Sequence, residues 1–252
     1  METFSEVLQA NALVVAFAVV GITVYFSYLL SKRLTYGRIH GSAIAILLGL
    51  VAAYFAGLHS QGSRGVADIG ILAGIGIMGG GMMRDFGIVA TAFGVHLSEL
   101  KKSGVAGIVS IFAGVFVSFI VGALVAVAFG YTDPESITTI GAGAVTYIVG
   151  PVTGTAIGAD SDVIALSVAA GVVKSILVMV GTPMVASRIG LNNPQSAMVF
   201  GGLMGTTSGV AGGLAATDPR LVPYGAMTAT FYTGVGCLLG PSILYFTVRA
   251  LA

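Results

Sequence analysis

Two polar, glycine-rich stretches interrupt an otherwise apolar chain: GPVTGTAIGADSD at Gly150–Asp162 and GGLMGTTSGVAGGLAATDP at Gly201–Pro219. The first carries glycines at 150, 154 and 158, the second at 201, 205, 209 and 213. At four-residue spacing such glycines share one helix face and reduce it to bare backbone, which admits a ligand or a second helix. An Asp follows each set, and Pro183 lies as far beyond Asp160 as Pro241 lies beyond Asp218. The pattern reads as one structural unit used twice.

Of the 252 residues, 56% are hydrophobic and 8% charged, too few polar groups to cover a water-exposed surface. An integral membrane protein is expected, with the lipid bilayer as its solvent. A net charge of +1, with Lys and Arg in short clusters between apolar runs, argues against a nucleic-acid partner. The single Cys237 permits no internal disulfide. The N-terminal METFSEVLQANA has an acidic rather than a basic start and is expected to be retained, not cleaved as a signal peptide.

Apolar runs and positive charge together predict an all-α polytopic bundle, one transmembrane domain over 1–252. Six crossings are expected, at residues 10–30, 42–58, 67–97, 104–130, 163–183 and 222–248. Lys32, Arg33, Arg38, Lys101, Lys102 and Arg188 mark the cytoplasmic loops, and both termini lie outside. Arg249 departs from that rule. The crossing at 67–97 contains Gly79, Gly80 and Gly81 beside Arg84 and Asp85, so a broken helix is expected there. Residues 137–162 and 196–218 read as re-entrant hairpins entering from opposite sides, an inverted repeat. The competing reading takes both stretches as ordinary packing faces of full crossings.

Hairpin tips inside hydrocarbon leave backbone groups unpaired unless protein, water or a ligand satisfies them. Half-helix N-termini suit an anion, whereas free carbonyls suit a small cation. The substrate-binding candidates are Thr153, Gly154, Thr155, Thr206, Thr207, Ser208 and Gly209, with Lys174 and Arg84 for charge. The cation-binding candidates are Asp160, Asp218, Gly150 and Gly205. Each hydroxyl has the alternative of bonding its own i−4 carbonyl, and each Asp that of a plain helix cap. Lys174 lies mid-crossing, where a cation costs about 2.5 to 3.5 kcal/mol on insertion scales. A substrate carboxylate, or Asp160 or Asp162 in a permanent ion pair, is expected to meet it. Arg84 and Asp85 have a like alternative, satisfying only each other. Hydrolysis is disfavoured because no His follows His96, and the scattered His and lone Cys offer no metal site beyond a transported ion. The absence of a GxxxxGK[ST] loop leaves secondary transport, with no bound cofactor.

The run GLMGTTSGVAGGLAATDPRLVPYGAMTATFYTG at Gly202–Gly234, with PVTGTAIGAD and the basic loop HLSELKKSG, resembles the larger, M subunit of the two-component malonate:sodium symporter over nearly the whole chain. FGIVATAFGVHLSELKKSGV, followed about fifty residues later by TGTA, is similar to the first half of sodium:glutamate symporters. The resemblance implies import of malonate with sodium as coupling ion, by alternating access, in the bacterial cytoplasmic (inner) membrane. It also implies a small polytopic L subunit as partner, in a dimer of heterodimers. This chain departs from the glutamate carriers in setting its two glycine-rich motifs close together, so helices completing the second repeat are missing. A passive anion channel and a structural subunit whose partner binds substrate are the alternatives.

Overall fold

The computed structural model describes residues 4–36, 39, 41–60, 65–78, 101 and 104–251, and among these every regular element is helical. The chain forms two compact units, residues 1–94 and 95–252.

In the first unit α1 (Phe4–Ala10) leads into α2 (Ala12–Leu34), which ends on Lys32 and Arg33 and packs on α3 (Gly41–Ser60). The Ser31 hydroxyl closes the turn between them by donating to the Ile39 carbonyl at 2.6 Å. Residues 65–78 fold into two 3-10 turns and the short α4 (Gly74–Ile77), whose Gly74 lies against the Ala12 backbone where a side chain has no room. The rest of the crossing expected at 67–97, with Gly79–Gly81, Arg84 and Asp85, lies outside the described residues.

The second unit opens with α5 (Gly104–Ala128), a 25-residue apolar helix whose Gly107, Gly114 and Gly122 face inward while Val117, Val121 and Leu124 point outward. Outward aliphatic side chains on a helix this long belong in hydrocarbon. Next come α6 (Pro134–Val145) and α7 (Val149–Ile157), separated by Thr146–Ile148. Gly150 meets Gly143 and Gly154 meets Thr139, so α6 and α7 run antiparallel as a tight pair. The long α8 (Ser161–Val185) follows, with Pro183 inside it. After it come α9 (Pro194–Met204) and α10 (Thr207–Ala215), divided at Gly205 and Thr206. The chain ends in α11 (Val222–Leu239), a π turn at Gly240–Leu244 and α12 (Tyr245–Leu251).

The starts of α6 and α9 use the same device. Asp133 accepts from the Ser136 amide at 2.7 Å with Pro134 in the first turn; Asn193 accepts from the Ser196 amide at 3.0 Å with Pro194 in the first turn. A short acceptor followed by proline stops the chain from continuing a preceding helix and starts a new one. Beyond each start, α7 and α10 both lie along α8, but in opposite senses. Gly150 and Gly154 meet Ser167 and Ile164, giving an antiparallel contact, while Gly209 and Gly213 meet Ser175 and Thr182, giving a parallel one. Gly225 of α11 is wedged between Ala197 of α9 and Val210 and Leu214 of α10, so those two helices splay around it.

A core of Ile111, Val115, Phe119, Val145, Val149 and Tyr232 ties α5, α6, α7 and α11 together. Five described segments are long and apolar enough to cross a bilayer: 12–34, 43–60, 104–128, 161–185 and 219–251. The chain is a multi-pass membrane protein, and every regular element among its described residues is helical.

Candidate functional site

The two helix breaks meet on one segment of α8. Tyr147, in the turn between α6 and α7, seats its backbone against Gly171, where a Cβ would collide with it. One turn further along α8, the Ser175 hydroxyl is hydrogen-bonded to the hydroxyl of Thr206, in the turn between α9 and α10. The Tyr147 hydroxyl reaches the Ser208 hydroxyl at 3.5 Å and so bridges the breaks directly.

Lys174 lies between these contacts. Its ammonium donates to the Ser118 hydroxyl at 2.9 Å, the Val145 carbonyl at 2.9 Å and the Tyr232 hydroxyl at 3.0 Å. Three N–H donors thus meet three acceptors from three helices, and all three acceptors are neutral. The Val145 carbonyl is available because α6 stops there, and the C-terminal end of a helix favours a cation. Tyr232 is held in turn by donating to the Gly114 carbonyl at 3.2 Å, and its ring lies against Gly205. Gly205 has φ of 72°, a left-handed conformation that ends α9 and leaves no Cβ in the path of the ring. The expected pairing of Lys174 with Asp160 or Asp162 is not formed. Those residues stand at the start of α8, more than three turns away, where Asp160 is exposed.

The N-termini at the two breaks are satisfied differently. In the first, the Thr146 hydroxyl accepts from the amides of Ile148 at 3.2 Å and Val149 at 3.1 Å, which covers the start of α7. In the second, Thr206 occupies the capping position of α10 but makes no cap bond, because its hydroxyl is turned to Ser175. The first turn of α10, with Thr207, Ser208 and Gly209, is therefore without a side-chain cap. An uncapped first turn presents N–H groups and a partial positive charge.

The other sequence candidates are spread more widely. Thr153 is fully buried in α7, Gly154 is enclosed by Thr139 and Ile164, and Thr155 faces outward. Gly154 and Gly209 meet α8 at Ile164 and Ser175, about 16 Å apart along the helix axis, so 153–155 and 206–209 do not form one cluster. Gly150 is closed in by Ser167. Asp218 accepts from the Arg220 amide at 3.1 Å and forms an ion pair with its guanidinium at 2.9 Å. The Arg220 hydrogen bonds hold that carboxyl below the usual carboxylate range. Arg84 lies outside the described residues.

Sequence reasoning did not single out Ser118, Tyr147, Ser175 or Tyr232, which complete the polar cluster. Each is a lone hydroxyl in an apolar run, and that was the available signal. A groove of about 1040 Å³, lined mainly by apolar side chains such as Leu177, Val185 and Phe200, contains none of the ammonium's partners. The polar cluster offers one lysine side chain, hydroxyls and an uncapped helix start, the equipment for holding a small organic anion.

Comparison with curated proteins and with solved structures returns no match. Residues 4–252 match the family described as malonate/sodium symporter MadM subunit, so the chain belongs to that family of transporter subunits.

Proposed function

We propose that this chain is the substrate-carrying subunit of a symporter that moves malonate inward with sodium by alternating access. The observation that carries the reading is the meeting of two helix breaks on α8 beside an ammonium with only neutral partners. Malonate is a dianion and needs both positive charge and donors. Lys174 supplies the charge, and the first turn of α10 with the hydroxyls of Tyr147, Thr207 and Ser208 supplies the donors. On binding, the Ser118 hydroxyl turns away from the ammonium and a carboxylate takes its place, while the Val145 carbonyl and the Tyr232 hydroxyl stay and keep the ammonium oriented.

On this reading α6–α7 and α9–α10 are re-entrant hairpins that enter the membrane from opposite sides as an inverted repeat. The like capping at Asp133 and Asn193 supports the repeat, and the opposite senses in which α7 and α10 lie on α8 support the inversion. Alternating access then consists of opening the cluster to one side or the other of the Tyr147–Ser208 bridge. A small polytopic L-type subunit completes the second repeat, in line with a family defined as a subunit. The complex resides in the bacterial cytoplasmic membrane as a dimer of heterodimers.

The test is counterflow of labelled malonate into vesicles containing the chain with and without that partner, in sodium and in choline buffer. Saturable uptake that needs sodium and both subunits is expected. Non-saturable flux, or malonate binding that persists when Lys174 and the first turn of α10 are altered together, overturns the reading.

A further inference from the structure

Threonines elsewhere in these helices satisfy their hydroxyls locally. Thr217, Thr230, Thr233 and Thr247 donate to the carbonyl four residues back, at 2.7 to 3.1 Å. Three do not. Thr138 and Thr139 in α6 and Thr153 in α7 are fully buried, and among the described residues their hydroxyls have no hydrogen-bond partner. All three belong to the same helix pair. A buried hydroxyl that forgoes an available carbonyl is costly unless something else uses its oxygen.

The surroundings indicate what that is. Thr153 Oγ1 is pressed against Gly240, the first residue of the π turn, where a Cβ would overlap it. Thr139 Oγ1 would lie 3.1 Å from a Cβ at Gly154, the neighbour of Thr153. The π turn packs on both α6 and α7. Single π turns inside α-helices mark places where carbonyls leave the regular ladder. Here Pro241 also has no N–H to offer the Cys237 carbonyl. One turn before Thr138 and Thr139, Glu135 accepts from Tyr245 at 2.6 Å, which places a carboxylate at the outer end of the seam.

We infer that Thr139 and Thr153, with the backbone of the π turn, form a site for a dehydrated sodium ion, separate from the malonate cluster around Lys174. Neutral hydroxyl and carbonyl oxygens suit a hard monovalent cation; Ca²⁺ and Mg²⁺ sites add carboxylates to offset the double charge. The Glu135 carboxylate raises the local cation concentration at the entrance without coordinating the ion. The inference rests on the sodium-coupled reading above and assigns its ion to the first hairpin instead of Asp160 or Asp218.

The test uses the purified full-length chain with any subunit that co-purifies, in detergent, titrated with sodium chloride against choline chloride at constant ionic strength. Melting temperature is the readout. The wild type is expected to be stabilised by sodium, and Thr139→Val and Thr153→Val to need at least tenfold more sodium for half the shift. In choline both valine variants should melt at or above the wild-type temperature, since each removes an unpaired buried hydroxyl, whereas a merely structural hydroxyl gives a lower value. Thr153→Ser, which keeps the oxygen, should retain the sodium response. An unchanged sodium midpoint in both valine variants overturns the site and leaves sodium coupling intact. A wild-type protein stabilised by malonate but not by sodium overturns the coupled reading itself, and the site with it.

Discussion

The Lys174 ammonium donates to the Val145 carbonyl at 2.9 Å, so the mid-helix charge of α8 rests on the carbonyl freed where α6 stops. The break is thereby coupled to the charge: a continuous helix through Thr146–Ile148 would give that carbonyl to a backbone amide, and the ammonium would lose a partner.

Replacing Lys174 by Met tests whether the charge is for substrate. Loss of a charge-assisted bond to malonate should cost about 1.5 to 3 kcal/mol, or roughly 10 to 150-fold in affinity. The stranded Val145 carbonyl should lower stability by about 1 to 3 kcal/mol, while the Tyr232 hydroxyl keeps its bond to the Gly114 carbonyl. Malonate binding measured beside melting temperature separates the effects, and unchanged affinity in a normally melting variant removes Lys174 as a ligand.

Tyr147→Phe deletes only the oxygen that reaches Ser208. Ser208 is only half-buried and the contact is long, so folding should be unaffected. Malonate affinity should fall about two- to tenfold, the worth of one ordinary hydrogen bond. Equilibrium binding with the wild type and Tyr147→Phe side by side decides it, and a loss of melting temperature would recast the bridge as structural.

A Cβ on Gly209 would stand 2.7 Å from the Ser175 carbonyl. Gly209→Ala should therefore push α10 off α8 and destabilise by about 1 to 3 kcal/mol, with uptake lost. Gly234, on the neighbouring α11, has nothing within 4 Å, and Gly234→Ala should be neutral or slightly stabilising because alanine is the better helix former. Equal behaviour of the two variants in thermal melts would refute the close packing.

Gly205 and Gly158 both end helices with positive φ, 72° and 79°. Around Gly158 there is open space, whereas Gly205 abuts the Tyr232 ring. Gly158→Ala should cost only the left-handed backbone penalty of about 1 to 2 kcal/mol. Gly205→Ala should cost clearly more, because the ring whose hydroxyl accepts from the ammonium must move. Paired denaturation curves give the difference.

Much of the architecture was legible because hydrocarbon imposes it. Long apolar runs marked α2, α3, α5, α8 and the C-terminal segment, and the mid-span position of Lys174 marked it as exceptional. The partners of Lys174 were not legible, since Ser118 and Tyr232 lie more than fifty residues away on either side and only packing brings them in. The four-residue glycine rhythm misled in part. It implies one continuous face, but the left-handed turn at Gly205 divides it, so Gly201 faces α11 while Gly209 and Gly213 face α8. The matched spacing to Pro183 and Pro241 also has unequal results: α8 passes through its proline as an α-helix, while α11 gives way to a π turn. A clearer sign of repetition went unread, the short acceptor, proline and serine of Asp133, Pro134 and Ser136 recurring as Asn193, Pro194 and Ser196.

The order of these partners along the chain has a consequence for biogenesis. Ser118 and Val145 leave the ribosome before Lys174, but Tyr232 follows only after α9 and α10 have been made. The ammonium therefore enters the bilayer one acceptor short, and must draw on water or lipid headgroups until the last long helix inserts. Its coordination is completed only at the end of synthesis, so the settled packing around the middle of α8 waits on the last long helix.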